Sequence, residues 1–434
     1  MNRIDFPNVR ETLICGEGPG GLPIFVVPKP GYRKTYAILA VNYGSVDVRF
    51  AADGAWRDTP AGVAHFLEHK MFDMPDGENA LQAFARTGAS SNAFTSHAMT
   101  AYYFACTDRF EENLRTLLRF VSTPYFTKES VDKEQGIIGQ EIRMMEDNPH
   151  SQVYENLLTA LYDAHPVRLP IAGTAASIAG IDADMLHDCH AAFYRSAHMC
   201  LCVAGDVDPP RVEAVAGAVW PAARGPVLTR DYGALCQKAA RGSVSRAMEV
   251  ARPLFALGAL CAPPAPGTET LRFELLGELA MEALTGPASP LYKTLYERGL
   301  INRDYGYGLF RVPEGACLVA VGESPEPTAV REALFDEVAR LGRDRMDTVR
   351  FERLKRAALG ARLRQMDAPE ALCRLQADAH FAHARYFDVL ALFDTLTPEA
   401  AYAFLCEAFV PARAALSVVT PGVARGEPAH EEES

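Results

Sequence analysis

Two histidines, His65 and His69, stand four positions apart in the run His65-Phe66-Leu67-Glu68-His69. On a helix that spacing puts both imidazoles on one face, with the Glu68 carboxylate close beside them. Two neutral imidazoles on one face begin a zinc site, and a carboxylate next to a metal-activated water can take its proton. The order His-x-x-Glu-His is the reverse of the commoner His-Glu-x-x-His peptidase motif. The competing reading is a solvated polar helix face. Against it, Val63, Ala64, Phe66, Leu67, Met71 and Phe72 are all apolar. A carboxylate and two histidines embedded among such neighbours require a partner.

A catalytic zinc uses a third protein ligand and keeps one position open. Thr127 is a helix cap, and the helix it predicts stops at Asp147-Asn148-Pro149. On that helix Glu134, Ile138, Glu141 and Met145 form one stripe, so Glu141 shares a face with apolar side chains. Burying a carboxylate there is costly unless a cation meets it, and zinc is such a cation. Glu134, two turns earlier, would suit the role of orienting a ligand histidine or the water. Spacing alone leaves open that both acids are exposed and pair with Lys133 or Arg143.

The elements around these residues follow from pattern and punctuation. Ile24 to Val27 and Thr35 to Asn42 read as strands, separated at Pro30-Gly31. Thr59-Pro60 reads as the start of the histidine helix. Further helices are predicted from Leu81 to before Gly88, from Arg109 to Val121, from Gln152 to Leu161 and from Asp182 to Tyr194. Ala93 to Thr107 reads as extended, and Cys200 to Ala204 as a short buried strand. The second half repeats this rhythm between Phe255 and Val419, which suggests a loose internal duplication of one α+β unit. The predicted division is a first domain over 1–225, a linker region over 226–245, a similar domain without the metal motif over 246–424, and an acidic tail over 425–434.

Composition narrows the class. The chain has 434 residues, 49% hydrophobic and 23% charged, which is ordinary globular material too long for one core. Lys+Arg minus Asp+Glu is 43 − 55 = −12, which argues against nucleic acid as a general partner. No apolar run is long enough to span a bilayer, and Met1 to Arg10 does not read as a secretory signal. The ten cysteines lack a Cys-x-x-Cys pair and read as free, mostly buried thiols. These features predict a cytoplasmic protein with no membrane partner.

The motif, its gap to Glu141 and the Glu134/Glu141 pair together resemble the pitrilysin/insulinase family of inverted-motif zinc metallopeptidases. Gly88-Ala-Ser-Ser-Asn-Ala-Phe-Thr95 with Thr100-Ala-Tyr-Tyr-Phe104, Pro124-Tyr-Phe126, Glu141 to Pro149, His165-Pro166, Gly173-Thr174 and Gly205-Asp206 extend the resemblance over most of residues 20 to 210. From 245 to 420 it is mostly architectural. The length matches short members, including bacterial processing-type peptidases, a YfmH-like branch among them, and mitochondrial processing peptidase subunits.

The resemblance implies an α+β fold of two homologous α/β-sandwich domains, each a mixed sheet covered by helices. It implies that His65, His69 and Glu141 ligate Zn2+, that Glu68 is the general base, and that Glu134 is a supporting acid. Ser91, Asn92, Ala93 and Phe94 would form an edge strand that takes the substrate peptide by strand addition. Without the resemblance, an ordinary edge strand is the simpler reading. Family members commonly supply an Arg and a Tyr seven apart from the second domain. Here Arg298 and Tyr305 keep the spacing but sit out of register with Leu295-Tyr296-Glu297-Arg298-Gly299-Leu300. The implied protein is a zinc endopeptidase acting on peptides or unfolded segments in a chamber closed by dimerisation. The dimer would be formed with itself or with a motif-less paralogue. The alternative is a non-catalytic or partner-dependent peptide-binding subunit of a heterodimeric processing or maturation system.

Overall fold

The computed structural model describes residues 1–422. The tail expected over 425–434 lies outside the described residues.

Fifteen strands form three sheets among these residues. The first half contributes β1 (Asn2–Phe6), β2 (Glu11–Glu17), β3 (Pro23–Pro28), β4 (Thr35–Val41), β5 (Arg49–Ala52), β6 (Ala55–Asp58), β7 (Ser90–Thr95), β8 (Thr100–Cys106), β9 (Met199–Gly205) and β10 (Leu228–Arg230). The second contributes β11 (Ser243–Met248), β12 (Leu254–Cys261), β13 (Gly306–Val312), β14 (Gly315–Glu323) and β15 (Ala414–Pro421). The first large sheet runs β1-β2-β3-β9-β4-β8-β7, and the second runs β11-β15-β12-β14-β13. A small sheet, β10-β5-β6, sits beside them.

The two large sheets share one topology. In each large sheet, the last of its strands in sequence lies parallel beside the strand that precedes the central one: β9 beside β3, β15 beside β11. Each inserted strand then pairs antiparallel with the central strand, β4 or β12. A hairpin completes the sheet, leaving β7 or β13 at the edge. The duplication suggested by sequence rhythm is thus a repeat of five strands, β3-β9-β4-β8-β7 matching β11-β15-β12-β14-β13, with β1 and β2 added to the first sheet. Strands β4, β9 and β12 are buried along their whole length, which fits their unbroken apolar sequences: both faces are covered.

The helices that matter for the site are α1 (Val63–Lys70), α2 (Ala80–Arg86), α3 (Phe110–Ser122), α4 (Lys128–Glu146) and α5 (Pro149–Leu161). The halves exchange covering helices. Helix α5 belongs to the first half in sequence but packs on β12 and β15 of the second sheet. Helix Pro369–Phe381 returns the arrangement, packing on β4 and β9. The approach of α5 is close enough that a Cβ on Gly258 would lie 2.6 Å from Leu161 Cδ1, so any larger residue there forces the leucine to shift.

Three expectations need adjusting. Helix α1 begins at Val63, not at Thr59-Pro60, because the Thr59 amide and hydroxyl both donate to Val48 O and Gly62 turns the chain at φ 99°. The extended run expected over 93–107 is a hairpin. Ser96 folds it back, its hydroxyl accepting from the Met99 amide at 3.0 Å. The stretch 226–245 is partly structured. Leu228–Arg230 pairs with β5, and Arg230 Nε meets the buried Asp47 at 2.9 Å. The ten cysteines are free, and seven of them are buried.

Candidate metal centre

Helix α1 is held by Val63, Ala64, Phe66 and Leu67, all buried against the first core. That packing fixes its rotation and leaves His65, Glu68 and His69 facing a cleft. The two imidazole centroids lie 4.6 Å apart. Helix α4 crosses nearby. Thr127 and Ser130 form a reciprocal capping box at its start, and fully buried Ile138 anchors its inner face. The stripe containing Ile138 therefore brings Glu134 and Glu141 to the histidines.

Glu141 Oε1 lies 3.6 Å from His65 Nε2, and Glu141 Oε2 lies 3.7 Å from His69 Nε2. One donor atom from each of the three residues falls within 4.8 Å of the others. Ligands about 2.0 Å from a tetrahedral zinc stand roughly 3.3 Å apart, so the set fits that ion with only a small contraction. Glu134 Oε1 meets His69 Nδ1 at 3.0 Å, which orients the ring and leaves Nε2 facing Glu141. His65 has no such support: its Nδ1 is buried without a partner. Neither acid pairs with Lys133 or Arg143, the alternative left open by spacing.

The electrostatics agree with the geometry. Burial, and then the neighbouring His69, push the His65 imidazole down to about 4, so it is neutral and competent as a ligand near pH 7. At His69 burial pulls downward, but the Glu134 hydrogen bond and the surrounding carboxylates raise it on balance. Glu68 is raised by burial, against a 2.7 Å hydrogen bond donated by Thr95 Oγ1. Three carboxylates here face two imidazoles, and no arginine or lysine among the described residues pairs with them. A divalent cation offsets that excess.

The cleft has a volume of about 620 Å³, in the range of ligand sites. Its walls come from β7, the end of α4, α5, the segment Val167–Thr174 and Arg246 on β11. Of the four residues expected to receive a peptide, Ala93 and Phe94 line the cleft. Ser91 and Asn92 lie further along the same open strand, and Asn92 Oδ1 accepts from the Ala93 amide. Strand β7 does end the sheet, so one of its edges is unpaired.

Arg298 and Tyr305 are not brought to this cleft, which corrects the expectation for them. Tyr305 is buried in the second core, its hydroxyl 2.8 Å from Thr285 Oγ1. Arg298 caps helix Pro290–Glu297 on the exposed surface. Conversely, Thr95, Tyr154 and Arg246 line the site without having been singled out. Thr95 stood inside a recognised motif, but its bond to Glu68 spans 27 positions and leaves no trace in spacing. His97 also lines the cleft, and its Nδ1 lies 3.1 Å from Ser45 Oγ.

Comparison with known proteins gives the same picture. Residues 48–175 match the model for "Insulinase (Peptidase family M16)", and residues 180–358 match "Peptidase M16 inactive domain". A Bacillus subtilis protein named uncharacterized zinc protease YmfH is 36% identical over 406 residues, covering 91% of this chain and 94% of the relative. A crystal structure described as an M16-like peptidase from Alicyclobacillus acidocaldarius superposes with a TM-score of 0.92 at 32% identity, over 96% of this chain and 100% of the other. An M16 inactive domain from Pseudomonas fluorescens shares the fold at 17% identity, with a TM-score of 0.80 over 95% of this chain and 99% of the other.

Proposed function

Because the chain belongs to the insulinase (M16) family of zinc peptidases, we propose that it is a zinc-dependent endopeptidase that hydrolyses peptides or unfolded polypeptide segments. The observation that carries this reading is the convergence of His65, His69 and Glu141 with Glu68 in one cleft bordered by an unpaired strand edge. His65, His69 and Glu141 would hold the zinc, which supplies a Lewis acid for the scissile carbonyl and the attacking water.

The remaining work falls to side chains of this chain. Glu68 takes a proton from the attacking water and returns it to the leaving amine. Burial raises its proton affinity, which suits a group that must both accept and give one near neutrality. Thr95 fixes one Glu68 oxygen. Glu134 acts through His69 as a positioning residue. The edge of β7 would hold substrate in extended form through backbone hydrogen bonds, a mode that tolerates many sequences.

A second reading, a subunit that needs a partner to cleave, is favoured by one observation: neither Arg298 nor Tyr305 reaches the cleft. Closure by a second copy or by a motif-less paralogue would add the missing wall. We place the protein in the cytoplasm; no single helix among the described residues is long and apolar enough to cross a membrane.

The test is cleavage of an unstructured peptide by the zinc-loaded chain and by Glu68→Gln. The variant is expected to keep its zinc and fold and to lose at least about a hundredfold in kcat. Equal activity in the two proteins would sink the endopeptidase reading. Activity that appears only after a paralogue is added would select the second one.

A further inference from the structure

The zinc cleft is built mostly by the first half, but Arg246 of β11 enters its wall from the second. This arginine is held in place. Gln152, at the start of α5 and only 4% exposed, accepts a hydrogen bond from the Arg246 guanidinium through Oε1. The Gln152 amide nitrogen donates to Glu155 Oε2 at 3.1 Å and to Met145 O at 3.2 Å, so the amide cannot turn over without losing both. Arginine carries five N–H donors in a planar fork. Gln152 accepts from Nη1, and none of the described carboxylates forms an ion pair with Arg246. Glu155, the acid beside it, is bound to Gln152 and forms no ion pair with Arg246; burial raises its carboxyl, while the nearby Arg246 charge pulls it back. The result is a positioned guanidinium with donors left over, in the wall of the same cavity as the zinc ligands. Arg168 also lines the cleft and makes no ion pair among the described residues, but no side chain fixes it.

We infer that Arg246 binds a carboxylate of the peptide substrate and so selects which peptides the cleft accepts. This rests on the peptidase reading above. The guanidinium fork matches a carboxylate with two parallel hydrogen bonds. That carboxylate can be an Asp or Glu side chain or the C-terminal group of the peptide, since the chemistry is shared.

One peptide sequence made in four forms separates the sources: an internal Glu or Gln, each ending in a free acid or an amide. Cleavage is followed with the wild-type chain. Binding is followed with the zinc-loaded Glu68→Gln chain. One acidic form is expected to be preferred about tenfold, the size of a single charge-assisted contact. Discrimination between Glu and Gln marks a side chain; discrimination between acid and amide marks the terminus. In Arg246→Gln the preference should vanish through KM, with kcat within about twofold. If a side chain is read, Arg246→Glu should instead favour the peptide carrying Lys at that position. Arg168→Gln should keep the preference. The inference fails if neither assay discriminates, if Arg246→Gln retains the preference, or if Arg168→Gln abolishes it. Cleavage without discrimination sinks only this inference; binding with discrimination but no cleavage sinks only the peptidase reading.

Discussion

The two halves carry one sheet topology, but the acids gathered around α1 in the first are met differently from those on the matching helix of the second. In the first half, Glu68, Glu134 and Glu141 face His65 and His69, and no arginine or lysine among the described residues pairs with any of them. In the second half, helix Thr268–Thr285 lies between the central strand and the edge hairpin, as α1 does in the first. Two of its acids meet arginines: Glu274 meets Arg311 Nε at 2.6 Å, and Glu278 pairs with Arg362, while Glu282 accepts from the Tyr307 hydroxyl. The scaffold is therefore not what makes a metal centre. Leaving convergent carboxylates without a cation is, because only an ion of higher charge then relieves the site.

The largest effect expected from breaking this contrast is at a ligand. His69→Ala removes one of three donors, so bound zinc measured by atomic absorption should fall to background and peptide cleavage with it. Zinc retained at one per chain would refute the assignment. Next comes the support of that ligand. Glu134→Gln should weaken zinc binding about 10- to 100-fold in a competition titration with a chelator. The matching change in the second half, Glu274→Gln, should leave zinc affinity unchanged and cost no more than about 1 kcal/mol of stability, since its ion pair is partly solvated. Equal effects on zinc at the two positions would erase the distinction drawn here.

The exchange of helices between the halves predicts a smaller, purely structural effect. Gly258→Ala puts a methyl group against Leu161 and Leu157 of α5, and should destabilise the chain by about 1–3 kcal/mol in chemical denaturation without altering the zinc site's donor set. A neutral result would mean that α5 yields easily. The smallest effect near neutrality concerns one histidine in each half, His190 buried and His380 half-buried. Burial pushes His190 and His380 down to about 4, while in the unfolded chain they titrate near 6.5. Between those values the unfolded state binds protons that the folded state refuses. Stability should therefore fall as pH drops from about 6.5 towards 4, by up to about 1.4 kcal/mol per unit for each group, with no contribution above pH 7. Denaturation midpoints for wild type and for His190→Gln at pH 7 and pH 5 measure it. An unchanged pH dependence in the variant would exclude His190 as a source.

What could be read without the structure was what repeats locally. The four-residue step from His65 to His69 determines a shared helix face whatever surrounds it, and the stripe through Glu134, Ile138 and Glu141 does the same on α4. Unbroken apolar runs such as Thr35–Val41 mark strands covered on both faces. The sequence by itself thus determined the family's zinc chemistry and the doubled architecture, and it picked out the candidate donor residues that the fold brings together. The tertiary structure alone decided which distant groups complete the cleft. Thr95 reaches Glu68 because a hairpin folds back beside α1. Arg246 arrives because β11 is the first strand of the other half, held by Gln152 from a helix that crossed over to that half's sheet. Tyr305 kept a family spacing yet is buried elsewhere, since spacing along a chain does not fix the direction in which a loop residue packs. Helical period is a property of neighbours in sequence, whereas a cleft wall is a meeting of segments whose separation in sequence carries no information about their distance in space.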